Sequence, residues 1–290
     1  MNNWKLNLGL AVLVLLLIAI VSGVFERKAN DSKNPALVDT YSAQSITHIE
    51  LQQNQQRCEL TRQVDSINWR LTSPFSAAAS SIAVQKILQL PARRDYQTLS
   101  ADDSKLDQYG LASPQLILRV GNNTIAWGDV NSLDKRRYLK IGNKLLLIAE
   151  DLTPFLQDCP KNLLSKALLE PGQQLQGLQL AGLTVSQQKG VWHLTPSPPS
   201  DWTQDDINHY LDDWRSAQAL MVEPLDKALL RLKPEYRFSL QLQNGDLEFL
   251  AFNINGQVWW ASPQRQLRYY LFANSAQKLL HPFMPARSGH

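Results

Sequence analysis

The sequence predicts an α+β protein: an N-terminal transmembrane helix followed by two tandem copies of a unit made of antiparallel sheet and covering helix. Three observations predict it. Leu6–Phe25 is an uncharged run of twenty residues near the amino terminus. Short alternating segments separated by Gly/Asn turns fill the rest of the chain, a pattern of hairpins rather than of βαβ crossovers. The same landmarks then recur 123 positions apart, from Trp69 to Trp192.

The apolar run comes first. A helix rises 1.5 Å per residue, so twenty residues span about 30 Å, the depth of a bilayer's hydrocarbon core. A cleaved signal peptide is the competing reading, but its apolar part is ordinarily about 7–15 residues long. Val21-Ser22-Gly23 is only a fair imitation of a cleavage site. Residues 1–25 therefore read as an uncleaved, single-pass signal anchor. Lys5 precedes the span and Arg27, Lys28 and Lys33 follow it, diluted by Glu26 and Asp31. Taken literally, the positive-inside count slightly favours a cytoplasmic body. The five-residue leader is instead that of a Sec-type anchor with an exported body. The expectation adopted is a bacterial inner-membrane protein with a periplasmic body. Residues 26–45 are polar, carry Pro35, and read as a juxtamembrane linker.

The first copy occupies residues 46–157. Strands are expected over 46–51, 58–62 and 67–71, then a helix capped by Ser80 or Ser81 and closed by Pro91, whose ring cannot continue the ladder. Ser100-Ala101-Asp102-Asp103 resembles a capping box, and the short helix it opens stops at Tyr109-Gly110, where Gly supplies the left-handed C′ position. Strands follow over 115–120, 124–128, 138–141 and 145–149, turned by Gly121-Asn122 and Gly142-Asn143, with a closing helix over 151–156. Residues 158–177 read as a connector, helical over 160–169 and broken at Glu170-Pro171-Gly172.

The second copy spans 178–283, with 284–290 as a tail. Strands are expected over 178–180, 183–187 and 191–194. Thr203 caps a helix running to about Leu220, with Asp206 three residues on. Strands over 236–243, 246–253, 257–261 and 267–272 follow, turned by Asn244-Gly245 and Asn255-Gly256, and a helix over 275–280 closes the copy. The offset of 123 carries Trp69-Arg70-Leu71-Thr72 onto Trp192-His193-Leu194-Thr195. It also sets Val84, Ile87 and Leu88 against Ile207, Tyr210 and Leu211, each trio on one helix face.

Composition excludes some function classes. Beyond the anchor, 28 basic residues face 26 acidic ones, which argues against a nucleic-acid partner, since that needs a concentrated basic face. None of the five histidines sits at HxxxH or HxH spacing, and no G-x-S-x-G, GxxxxGK[ST] or GxGxxG occurs. No catalytic, cofactor-binding or metal-ligating residue is therefore assigned. Asp205 and Asp206 fall in a helix first turn, where the dipole explains them. Cys58 and Cys159 are the two cysteines. They can pair in an oxidising compartment, or stand unpaired as small buried hydrophobes. Trp259-Trp260 and Tyr269-Tyr270 are adjacent pairs, and neighbours on a strand point to opposite faces. One member of each pair can be core. The other marks a candidate interaction face, since Trp and Tyr are favoured interface anchors.

Leu99-Ser100-Ala101-Asp102-Asp103, Tyr109-Gly110-Leu111, Pro114 and Ala126-Trp127-Gly128 leading to Tyr138 resemble the DUF4340 family. So do Trp69 through Pro74 and the helix after them. The resemblance covers most of 46–157 and, more weakly, 178–281, where Leu232-Lys233-Pro234 stands in place of Tyr109-Gly110-Leu111. It implies one transmembrane helix, then a strand-rich body with repeated halves, and it suggests components that accompany gliding-type ABC transport systems. It implies no catalytic residues. The function expected is a non-catalytic binding or assembly subunit of a cell-envelope complex, with the membrane and a protein as partners and no cofactor. The alternative is an envelope hydrolase whose site is assembled from distant residues.

Overall fold

The computed structural model describes residues 34–38, 41–100 and 103–283. The anchor expected over 1–25 and the tail over 284–290 lie outside them. No helix among the described residues is long and apolar enough to cross a membrane.

Seventeen strands appear among the described residues: β1 His48–Gln53, β2 Gln56–Thr61, β3 Arg70–Ser73, β4 Ala77–Ala78, β5 Tyr96–Leu99, β6 Leu116–Val120, β7 Asn123–Val130, β8 Arg136–Ile141, β9 Lys144–Ala149, β10 Leu175–Leu180, β11 Leu183–Gln188, β12 Val191–Thr195, β13 Met221–Pro224, β14 Tyr236–Leu242, β15 Gly245–Ile254, β16 Gln257–Ser262 and β17 Leu267–Leu271. Four α-helices accompany them: α1 Ser81–Gln89, α2 Thr153–Leu156, α3 Gln204–Ser216 and α4 Ala273–Leu280. The strands form two sheets, ordered β4-β3-β2-β1-β6-β7-β8-β9-β5 and β12-β11-β10-β14-β15-β16-β17-β13. Apart from β4, the succession is the same in both.

The expected fold class is corrected on two counts. The protein is mainly antiparallel β, and its longest described helix has only 13 residues. Nor are its compact units consecutive copies. Among the described residues, one comprises those up to Arg57 with those of Gln85–Gln157; the other comprises Cys58–Val84 with those from Asp158 onward. The reason is a set of bonds that hold 58–84 to 158–170. Cys58 and Cys159 form a disulfide with Cα atoms 6.2 Å apart. Ala79 bridges Leu164, Ser80 N donates to Leu163 O at 2.8 Å, and Arg70 meets Glu170 at 2.8 Å. The disulfide joins residues 101 apart, a closure that the chain-entropy model puts at about 4–5 kcal/mol.

The segment expected to be a connecting helix over 160–169 is mostly extended. Only Lys161–Leu163 turns, as a 3-10 segment; Ala167 then bridges Gln218 and Leu168 N donates to Ala217 O. Leu163, Leu164 and Leu168 are all buried. Burial of those three side chains, each worth about 1.5–3 kcal/mol, overrides their helix preference.

Elements with local signals form where expected. Leu116, Leu118 and Val120 alternate inward along β6, as do Phe238, Leu240 and Leu242 along β14. Asn255 and Gly256 turn β15 into β16 with φ of 52° and 82°, the paired positive angles of a type I′ turn. In α3, Thr203 Oγ1 accepts from Asp206 N at 3.3 Å and Asp206 Oδ2 accepts from Thr203 N at 2.7 Å, a reciprocal cap. Its buried stripe is Ile207, Tyr210, Leu211 and Trp214. The Tyr210 hydroxyl donates to Leu279 O at 2.7 Å and so fastens α3 to α4. The helix stops at Ser216 rather than about Leu220, because Leu220 N donates to Tyr270 O and β13 starts at Met221.

Candidate interaction face

The second unit carries the four aromatics expected to form a face. Strands β16 and β17 are antiparallel neighbours that pair Trp259 with Tyr270 and Trp260 with Tyr269. The pleat sends the two pairs to opposite sides of the sheet.

Trp260 and Tyr269 are core residues, 0% and 1% exposed. The Trp260 ring stacks on Trp214 with centroids 5.8 Å apart and meets Phe238 edge-on at 4.7 Å. Tyr269 contacts Phe249 at 5.7 Å. Burial pushes the Tyr269 hydroxyl's pKa up, against the nearby charge and hydrogen bond of Arg265. Arg265 Nη1 lies 3.1 Å from that hydroxyl and also donates to Leu168 O at 2.7 Å.

The opposite side is a layered stack. Trp259 is also buried, under the Arg268 guanidinium, which lies 4.5 Å above its ring, and beside Tyr270 at 5.2 Å. Arg268 donates through Nε and Nη2 to Glu223 Oε2, its neighbour across β13–β17. Lys161 Nζ reaches the other oxygen of Glu223 at 2.9 Å. Burial acts to raise the pKa of Glu223, but the hydrogen bonds and charges of Lys161 and Arg268 outweigh it, so the carboxyl titrates below its ordinary value. Further along the same side, Leu229 and Leu225 roof Leu250, Phe252 and Ala261. Met221, paired across from Tyr270, is 38% exposed, and Phe272 is 61% exposed.

The expected face is thus corrected in membership. Only half-buried Tyr270 of the four retains solvent access; Trp259, Trp260 and Tyr269 are buried. Met221, Phe272 and Arg268 take their places. Phe272 was findable, since it stands two residues beyond Tyr270 in the strand expected over 267–272, although β17 itself ends at Leu271 and Phe272, still extended, caps α4. Met221 was not, because β13 carries no local strand signal. Cys58 and Cys159 are paired with each other. Among the described residues no group of three His, Cys, Asp or Glu is placed to hold a metal ion.

In the first unit, the stretches Tyr109-Gly110-Leu111, Ala126-Trp127-Gly128 and Tyr138 pack together. The rings of Tyr109 and Tyr138 lie 4.8 Å apart. A Cβ on Gly128 would fall 2.2 Å from Tyr109 O and 2.9 Å from Leu111 Cγ, so only glycine lets the 3-10 segment Asp103–Tyr109 lie against β7.

Residues 69–244 match the family described as Domain of unknown function (DUF4340). No curated protein and no solved structure matches the chain.

Proposed function

Since the chain belongs to the DUF4340 family, whose description assigns no activity, we propose from its own residues that it is a binding or assembly subunit of a cell-envelope complex. It is held in the bacterial inner membrane by Leu6–Phe25 and its body is periplasmic; the family resemblance, rather than any residue, suggests that it serves as an accessory to an ABC-type transport system. Its two sheets descend from one duplicated unit, a reading supported by their shared strand order. The Cys58–Cys159 bond supports export, because disulfides persist in oxidising compartments.

The observation that carries the binding role is the face bearing Met221, Tyr270 and Phe272. Met, aromatic residues and Arg are the types enriched where proteins meet. Arg268 is already fixed by Glu223 and Trp259, so docking costs little of its side-chain entropy. The test is affinity purification of the full-length protein from mild detergent, comparing the native chain with a Tyr270→Ala, Phe272→Ala double variant. Folding should change by no more than about 1 kcal/mol. Recovery of the co-purifying partner should fall at least about tenfold, the effect of losing one hot spot. Unchanged recovery would overturn the assignment of this face. Release of the protein by carbonate washing would overturn the anchor.

A further inference from the structure

The first unit holds a cleft of about 260 Å³ lined mainly by polar residues, among them Gln53, Ser113, Gln115 and Asp129. Its walls come from the end of β1, the stretch from Gly110 into the start of β6, the end of β7, the start of β8, and the region of α2. We infer that this cleft binds a neutral, hydroxyl-rich ligand of the saccharide class. The inference uses residues of the first unit only and stands apart from the partner face.

The side chains at the mouth carry it. Gln53, Gln115 and Gln157 each present both a donor and an acceptor, and Ser113 adds a hydroxyl that does the same. Asp129 adds a pure acceptor. Among the described residues, the side chains of Gln53, Ser113, Gln115 and Asp129 have no hydrogen-bond partner. A cluster of dual-capacity groups matches a ligand whose hydroxyls both donate and accept.

Competing ligand classes fit less well. Arg137 lines the cleft, but its Nε is bonded to Glu150 and its Nη1 donates to Gly128 O at 2.6 Å. Its charge is therefore already matched, and Asp129 stands nearby, so a phosphate or other anion meets no surplus of positive charge. The apolar members, Leu116 and Trp127, are buried floor residues, which leaves little wall for an acyl chain. A peptide added as a strand needs a free sheet edge. Here β6, β7 and β8 each have a strand on both sides; the pairing of β7 is interrupted only at Gly128-Asp129, where Gly128 O already accepts from Arg137, too short a stretch to take an added strand.

Trp127 supplies a reporter. Its Nε1 donates to Thr153 Oγ1 at 3.1 Å, and both residues line the cleft. The full chain, in a non-glycosidic detergent, is titrated with glucose, N-acetylglucosamine and chitobiose while the Trp127 indole N–H resonance is followed, assigned by Trp127→Phe. Inorganic phosphate and trialanine serve as controls. At least one sugar should shift that resonance saturably, with a dissociation constant on the order of millimolar. Asp129→Ala and Gln115→Ala, both at exposed positions, should each weaken the effect by about tenfold while leaving the free spectrum otherwise unchanged. No saturable shift with any of the three sugars overturns the inference. So does a shift indifferent to both variants, or tighter binding of phosphate or trialanine.

Discussion

Hairpins β6–β7 and β14–β15 share a register and differ in what fills it. Val120 and Asn123 close the first, and Leu242 and Gly245 close the second. Four residues from each closure stand the pairs Leu116–Trp127 and Phe238–Phe249. Beyond Trp127 the first hairpin continues Gly128-Asp129; beyond Phe249 the second continues Leu250-Ala251. In the second unit, Trp214 and Trp260 close over Phe238 and Phe249 in one aromatic stack. In the first, small and polar residues leave a cleft. Strand order sets a frame, and side-chain volume at a few registered positions decides whether that frame becomes core or site. The adjoining segments follow suit. Tyr109-Gly110-Leu111 needs a glycine on β7 to approach it, whereas the 3-10 segment Leu229–Arg231 puts Leu229 onto Leu250, Phe252 and Ala261.

The largest break in this comparison comes from removing the aromatic plug. Trp260→Ala should cost about 3–5 kcal/mol in urea unfolding, the range for deleting a fully buried large ring. Among the described residues its indole N–H has no hydrogen-bond partner, so the loss is one of packing alone. A cost below about 1 kcal/mol would mean that the stack is not the second unit's core.

A smaller break fills the first unit's close approach. Gly128→Ala sets a methyl 2.2 Å from the Tyr109 carbonyl oxygen, backbone that cannot swing aside as a flexible side chain would. Overpacking of this kind costs about 1–3 kcal/mol. The change should also broaden the Trp127 indole resonance as the 3-10 segment is pushed off β7. An unperturbed spectrum would show that the approach is looser than described.

Much of this frame was legible from sequence, and the part that was not has a physical cause. Hairpin strands announced themselves through alternation and turn residues, both local. β5 and β13 escaped notice because each is four residues long, with burial patterns that do not alternate. Their identity as strands comes from pairing with β9 and β17, which are distant in sequence. The face suffered from the same blindness. Alternation correctly separated Trp259 from Trp260, but Trp259 is buried because Arg268 lies over it, and Arg268 is held there by Glu223 on the unseen β13. The cysteine pairing was open for a related reason, since it depends on 58–84 folding with 158–170.

The finest test compares the acids beside these two unseen strands. Glu223 in β13 is 8% exposed and bonded to two cations. Its carboxyl titrates below its ordinary value of 4.5. The stability it contributes is therefore present above that value and lost as pH falls through the lower folded value. Glu223→Gln should cost about 1–3 kcal/mol at pH 7 by leaving Arg268 under-partnered. The same variant should flatten the loss of stability in urea titrations run from about pH 5 downward. Asp95, one residue before β5, is also held below its ordinary value, chiefly by the Arg93 hydrogen bond. Yet its side chain is 55% exposed, and Arg93 keeps a second partner in Asp151 at 2.6 Å. Water and salt screen such a pair, and exposed pairs contribute about 0–1 kcal/mol. Asp95→Asn should therefore cost less than about 0.5 kcal/mol at pH 7 and leave the acid limb of the curve where it was. Equal effects from the two substitutions would show that burial of Glu223 by the Lys161 and Arg268 stack adds nothing, and would remove the physical distinction drawn between the two edges.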